Sequence, residues 1–208
     1  MDLPTTGINN IRATVNICNL LIRALAVLIG LSVAQIAAAN ESDLWHALKG
    51  GGHVALLRHA LAPGIGDPAD FRLEDCSTQR NLSAEGRSQA TKIGDRFRQN
   101  GILNATVYSS QWCRCIDTAE LLGLGPVEPL ETINSFFQNF ENQEPQTLAL
   151  ENWIRTQSLN QPIVLVTHQV NITALTGVYL ASGELVIVKV SDDEPMKVIG
   201  TLQSNSLD

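Results

Sequence analysis

The sequence predicts an α/β domain: a three-layer α/β/α sandwich around a mainly parallel central sheet. Three observations carry that prediction. Short apolar runs alternate with segments of helical periodicity from residue 41 onward, the pattern of strands joined by crossover helices. One run, "PIVLVT" at 162–167, is apolar on both faces, as a strand inside a sheet requires. Three runs end in polar, reactive groups: Arg58-His59, Ser109-Ser110 and Thr167-His168. Open α/β sheets bind ligands beyond the carboxyl ends of their strands, so those ends mark the expected site.

The elements follow in order. Arg12 and Arg23 precede the apolar run "ALAVLIGLSVAQI" and the small-residue run "AAAN". This is the layout of a signal peptide cleaved near Ala39–Asn40, so residues 1–39 are read as signal and 40–208 as the domain. The apolar run is too short for a membrane span of about 20 residues, and no stable membrane insertion is expected after cleavage. "ESDLWHALKGGG" predicts a helix capped by Ser42 or Asp43 and stopped at Gly50. "HVALLRH" predicts the first strand. Residues 61–80 form a loop long enough to be functional.

"LSAEGRSQATKIGDRFRQNG" is the clearest helix. Ser83 is its N-cap, Ala90, Ile93 and Phe97 share one face, and Asn100-Gly101 ends it. "ATVYSS" predicts a second strand and "WCRCIDTAELLG" a helix closed by Gly123. Residues 125–144 read as irregular, and "PQTLALENWIRTQ" as helical from Pro145. The stretch "QVNITALTGVYLASG" reads as helical, and "ELVIVKV" and "MKVIGTLQ" as an edge hairpin.

The 208 residues are 44% hydrophobic and 17% charged, with a formal net charge of -7. Disorder is excluded for most of the chain. The acidic balance argues against a nucleic-acid partner, so an anion site must be a local positive pocket. Outside the signal, Cys76, Cys113 and Cys115 remain. Export to an oxidising periplasmic or extracellular compartment makes one disulfide the expectation, from Cys76 to one of the other two.

If the three strands are parallel neighbours, Arg58, His59, Arg114 and His168 converge. No acid stands beside either arginine in these segments, so a bound anion is the expected neutraliser. Guanidinium forks match phosphate oxygens in pairs. Arg114, in the first turn of a helix, adds the positive end of the helix dipole. Histidine supplies a neutral, nucleophilic nitrogen near pH 7, able to form a covalent phosphohistidine. Cationic neighbours would stabilise charge on the transferring phosphoryl group. A zinc site would need a third ligand, for which Cys113 or Cys115 are the candidates. Arginines beside a cation would be unfavourable, so no metal or other cofactor is expected.

These segments resemble a known family. "LLRHALAPG" resembles the Arg-His-Gly signature of the histidine phosphatase superfamily, which also contains the phosphoglycerate mutases. "RNLSAEGRSQA", "VYSSQWCRCIDTAE" and "VLVTHQVNI" resemble three further motifs of that superfamily, in its order. The set is most similar to its exported bacterial members. The resemblance implies a phosphoglycerate mutase-like fold. It implies that His59 is the phosphorylated nucleophile, that Arg58 and Arg114 clamp the phosphoryl oxygens, and that His168 contacts them from the other side. Arg80 would border the pocket.

Two residues depart from the motifs: Ala60 and Gln169 each stand where glycine is usual. Gln169 offers a hydrogen bond to substrate. The superfamily's proton donor commonly lies between the second arginine and second histidine. Glu131 is preferred there over Glu141 and Glu144, with Asp67, Glu74 and Asp75 as alternatives in the long loop. The function implied is hydrolysis of phosphate monoesters or phosphoramidates, with a phosphorylated small molecule or envelope glycan as substrate. A phosphate-binding module with little turnover is the alternative. Residues 61–80 and 131–144 are expected to set substrate choice.

Overall fold

Asn40 starts the first helix, α1 (Glu41–Lys49), where its side-chain oxygen accepts the Asp43 N–H at 2.9 Å. The cap therefore lies upstream of the expected Ser42 or Asp43. Ser42 instead donates its hydroxyl to the same Asn40 oxygen at 2.7 Å, so the amide side chain satisfies the first-turn donor. The computed structural model describes residues 40–191 and 193–203, all within one compact unit spanning Ala39–Asp208. The signal-peptide reading falls on residues 1–39 and lies outside the described residues.

Strand β1 (His53–Arg58) follows α1, and helix α2 (Ala84–Gln99) follows the long loop. Next come β2 (Thr106–Ser109), α3 (Cys113–Leu122) and a short β3 (Val127–Pro129). Helix α4 (Gln143–Arg155), β4 (Ile163–Thr167), α5 (Gln169–Thr176), β5 (Leu185–Lys189) and β6 (Lys197–Leu202) complete the order. The strands form one sheet in the order β3-β2-β4-β1-β5-β6. The first four are mutually parallel, and β5 and β6 add an antiparallel hairpin at one edge, as expected. Two details differ: β3 lies in a region read as irregular, and α5 stops at Gly177, where a φ of 71° ends it.

Alternate strand residues serve opposite faces. Ala55, Leu57, Val164, Val166, Leu185 and Ile187 pack with Leu44, Leu48, Ile93, Phe97 and Leu122 from α1, α2 and α3. Val54, Leu56, Ile163, Leu165, Val186 and Val188 pack with Leu150, Ile154 and Ile172 from α4 and α5. Both faces are covered, which gives the three layers.

Two glycines let α2 approach closely. A Cβ on Gly86 would meet the Leu61 carbonyl oxygen at 2.0 Å, and one on Gly94 the Leu122 carbonyl oxygen at 2.1 Å. The chain just past β1 is thus clamped onto the start of α2, where Ser83 donates its N–H to Leu61 O at 3.1 Å and caps Gly86 N. Cys76 is disulfide-bonded to Cys113, which ties the long loop to the start of α3. Cys115 is free and buried.

Candidate active site

Backbone register brings the two histidines together. In the parallel β1–β4 pair, Arg58 lies opposite Thr167. His59 N–H then donates to Thr167 O at 2.9 Å, and the next residue of each strand end is a histidine. The rings lie 5.6 Å apart between centroids, at 68°. On the other side of β4, Ser110 N–H donates to Val166 O at 2.9 Å. That places the Ser110 hydroxyl 2.8 Å from His168 Nε2.

The hydrogen bonds assign the tautomers. His59 Nδ1 lies 2.8 Å from the Ala60 carbonyl oxygen. A carbonyl only accepts, so Nδ1 carries the hydrogen and Nε2 keeps its lone pair. His168 Nδ1 lies 3.4 Å from an Arg114 terminal nitrogen, which only donates. Nε2 therefore holds the hydrogen and donates to Ser110, whose hydroxyl passes its own hydrogen to Asn134 Oδ1 at 3.2 Å. Burial, reinforced by the Arg114 charge, pushes His59 down to about 3 against the opposing Ala60 bond. The same two causes hold His168 well below the usual histidine value. Both rings are neutral around pH 7.

Arg114 is buried in the first turn of α3. Its two terminal nitrogens donate to Asp67 Oδ1 at 2.7 Å and Oδ2 at 3.2 Å. Asp67 also accepts from Trp112 Nε1 at 3.0 Å and the Arg80 N–H at 3.1 Å. Burial raises the Asp67 carboxyl, but the Arg114 bond and charge outweigh it and the net shift is downward. Arg58 donates to Leu180 O at 2.7 Å. Arg80 donates to Gly66 O at 2.7 Å and to Ala62 O. The Nε atoms of Arg58 and Arg114 are buried without a hydrogen-bond partner. Buried donors left unpaired are costly, and both arginines line the same cleft of about 520 Å3 as the two histidines. An oxyanion between them would supply the missing acceptors.

The sequence model of the histidine phosphatase superfamily (branch 1) matches residues 54–149. Over this segment the chain is similar to that superfamily. The fold has solved counterparts at low identity. Phosphoserine phosphatase from Entamoeba histolytica, in complex with 3-phosphoglyceric acid, superposes with a TM-score of 0.54 at 14% identity, over 75% of this chain and 99% of its own. The protein histidine phosphatase SixA, complexed with tungstate, gives 0.53 at 12% identity, over 75% of this chain and 99% of its own. Among curated protein sequences none matches this chain.

Within this histidine phosphatase fold, Arg58, His59, Arg80, Arg114, His168 and Gln169 all line the one cleft. Three expectations need correction. Glu131 does not reach it: the residue is exposed on a one-turn 3₁₀ helix (Glu131–Ile133) whose inward face is taken by buried Ile133. Gln169 is not free to donate to a substrate. Its amide hydrogens go to Thr173 Oγ1 at 2.6 Å and Val178 O at 3.2 Å, and its oxygen accepts the Leu180 N–H at 2.9 Å. It therefore braces the carbonyl that holds Arg58. Third, an acid does neutralise an arginine, because the loop folds Asp67 back onto Arg114.

Residues the sequence reading left without a role include Ser110 and Asn134, which orient His168, and Trp112, whose ring meets it edge-on at 5.3 Å. Thr118, from the "DTAE" motif, accepts the Ala60 N–H at 3.0 Å. That bond fixes the carbonyl which orients His59. The superfamily motif itself was the available signal for Thr118. The free Cys115 sulfur lies 3.5 Å from His168 Nε2, and burial pushes its thiol up to about 12. It is a packed thiol, not a thiolate ligand. Among the described residues no three His, Cys, Asp or Glu side chains gather as a metal site.

Proposed function

We propose that the protein hydrolyses phosphate monoesters or phosphoramidates through a phosphohistidine at His59. His59 Nε2 attacks phosphorus, the new N–P bond forms, and the electron pair of the breaking bond leaves with the departing group. Water then attacks phosphorus, the N–P bond breaks, and its pair returns to Nε2. The departing group takes a proton from solvent, and water's proton returns to solvent in the second step, so the overall reaction balances. Arg58, Arg114 and the edge of His168 would face the phosphoryl oxygens, where charge is held throughout transfer. The observation that carries this reading is the lone pair of His59 Nε2 beside a cleft lined by Arg58 and Arg114, each with a buried Nε that has no partner.

Among the described residues the only acid lining the cleft is Asp67, and Arg114 keeps it ionised. Leaving groups that need no enzyme acid suit that arrangement best: aryl oxides, which depart as stable anions, and phosphoramidate nitrogens, which take their proton from solvent before the bond breaks. The same observation favours the second reading, a phosphate-binding module with little turnover. One experiment separates them. The purified chain should hydrolyse 4-nitrophenyl phosphate in the presence of EDTA and trap an acid-labile, alkali-stable label from labelled substrate. His59→Ala should lower turnover by about a thousandfold or more. Phosphate-induced stabilisation without label or turnover would favour the binding module.

We further propose export to the periplasm or the exterior, supported by the 24–36 apolar run before Ala37 and Ala39 and by the Cys76–Cys113 bond. Sequencing the N-terminus of the protein recovered outside the cytoplasm should find Asn40 first; an intact Met1 there would reject cleavage.

A further inference from the structure

The cleft is larger than the anion it is built to hold. At about 520 Å3 it has the capacity of a small-ligand pocket, and the arginines and histidines account for only part of its lining. The rest includes Ile65, Phe71, Phe137 and Tyr179, with the amides of Gln138 and Asn139 beside them. Ile65 is 91% exposed and Tyr179 77%, large apolar surfaces that water covers poorly.

These walls are braced. Phe137 meets Phe140 at 6.1 Å, and Phe140 meets the buried Phe136 at 6.3 Å. Phe71 stacks on Trp112 at 5.1 Å and 20°. The Tyr179 ring stands 6.0 Å from the Arg58 guanidinium. A Cβ added at Gly66 would lie 3.6 Å from Gln138 Nε2 and 3.7 Å from Phe137 Cε1, and both segments line the cleft, so they face each other along its rim.

Charge bookkeeping narrows what that rim accepts. Among the described residues the charged side chains lining the cleft are Arg58, Arg80, Arg114 and Asp67, with both histidines neutral. Asp67 offsets one of the three positive charges, and a phosphate dianion offsets the other two. A carboxylate on the leaving group would then enter a cleft with no positive charge left to meet it. An ammonium would find the Asp67 carboxylate already held by Arg114.

We propose that this cleft selects phosphate compounds whose leaving group is uncharged and presents an apolar ring face to Phe137 and Tyr179. The proposal rests on the phosphatase reading of the same cleft and names its substrate class. It excludes phosphorylated amino acids and phosphorylated carboxylic acids as good substrates.

Competition separates the two ideas. With hydrolysis of 4-nitrophenyl phosphate as reporter, inhibition constants are measured for 2-phenylethyl phosphate, O-phosphoserine and 3-phosphoglycerate. All three carry phosphate on an aliphatic oxygen, so they differ in charge and ring, not in leaving-group chemistry. The ring compound should bind at least about tenfold tighter than either charged one. Phe137→Ala and Tyr179→Ala should each weaken it by about fivefold and leave inhibition by inorganic phosphate unchanged. Equal constants for the three compounds, or an equal loss for inorganic phosphate in both variants, would overturn the selectivity. If no phosphate compound is turned over, the phosphatase reading fails instead. Calorimetric binding of the same three ligands then decides the selectivity on the same criteria.

Discussion

His59 and His168 are delivered by strands; Asp67 and Arg80 are delivered by a loop. The histidines extend β1 and β4, whose Leu57 and Val166 are wholly buried and whose ladder fixes their register. No local rearrangement separates them without breaking the sheet interior. Asp67 and Arg80 are held by side-chain bonds to Arg114, Gly66 O and Ala62 O, and by the Cys76–Cys113 tie. The difference divides the labour of the site. The sheet sets the distance between nucleophile and partner ring, and the loop sets the charge of the pocket. Perturbing the loop should change anion affinity and stability while leaving the histidine pair in place.

The largest effect expected on the loop side comes from Asp67→Asn. It leaves the Arg114 guanidinium buried with its counter-charge gone, which costs roughly 3–5 kcal/mol for a buried pair broken from one side. Inorganic phosphate should restore most of that loss, because the anion takes over the carboxylate's part. Urea unfolding with and without phosphate reads both quantities. Equal phosphate stabilisation of the two proteins would mean that Asp67 does not govern the pocket's charge.

Removing the tie should cost less. Cys76→Ala with Cys113→Ala releases a covalent loop whose ends are 37 residues apart, a loss of about 2–4 kcal/mol. Hydrogen exchange sharpens the contrast. Amides between Arg72 and Arg80 should lose protection, while those of β1 and β4 keep theirs. Loss in both regions at once would show that loop and sheet open as one unit.

The same division explains what the sequence disclosed. Strand ends were legible because an apolar run of fixed period stops at a definite residue, and register does the rest. Arg58, His59 and His168 were therefore placed together from pattern alone, with Arg114 in the first turn of the helix after β2. Ser83, Asn100 and Gly123 were legible as helix punctuation for a similar local reason. Asp67 was not, since it follows Gly64 and Gly66, both at positive φ, and a chain turning through such residues has no periodicity to read. Glu131 stood in the right order along the chain, but order does not say which face of a single 3₁₀ turn points inward. Gln169 was read as a donor because its bonds to Val178 and Leu180 depend on a chain reversal at Gly177 that side-chain type does not reveal. The disulfide was legible as a bridge from Cys76, but Cys113 and Cys115 became distinguishable only once α3 turned one sulfur outward to the loop and the other into the core.

The smallest effect concerns the sheet-held pair and is read by pH. His59 and His168 both titrate below their unfolded value of about 6.5, because burial and the Arg114 charge oppose protonation. The unfolded chain therefore binds more protons than the folded one below that pH. Stability from each ring is fully present above about 6.5 and is lost as pH falls, for His59 until about 3. Within the window each ring contributes a slope of about 1.4 kcal/mol per pH unit. Asp67, shifted downward from an ordinary carboxylate value, adds its own loss only at lower pH, so the interval from about 6 to 4.5 reports chiefly on the imidazoles. Comparing wild type with His59→Asn over that interval should reduce the slope by one ring's share. Saturating phosphate should flatten it in the wild type, because a bound dianion favours the protonated rings that the empty pocket rejects. A slope unchanged by the substitution would place His59 in an environment open to water, and the strand-delivered half of the site would lose the burial on which its neutral nucleophile depends.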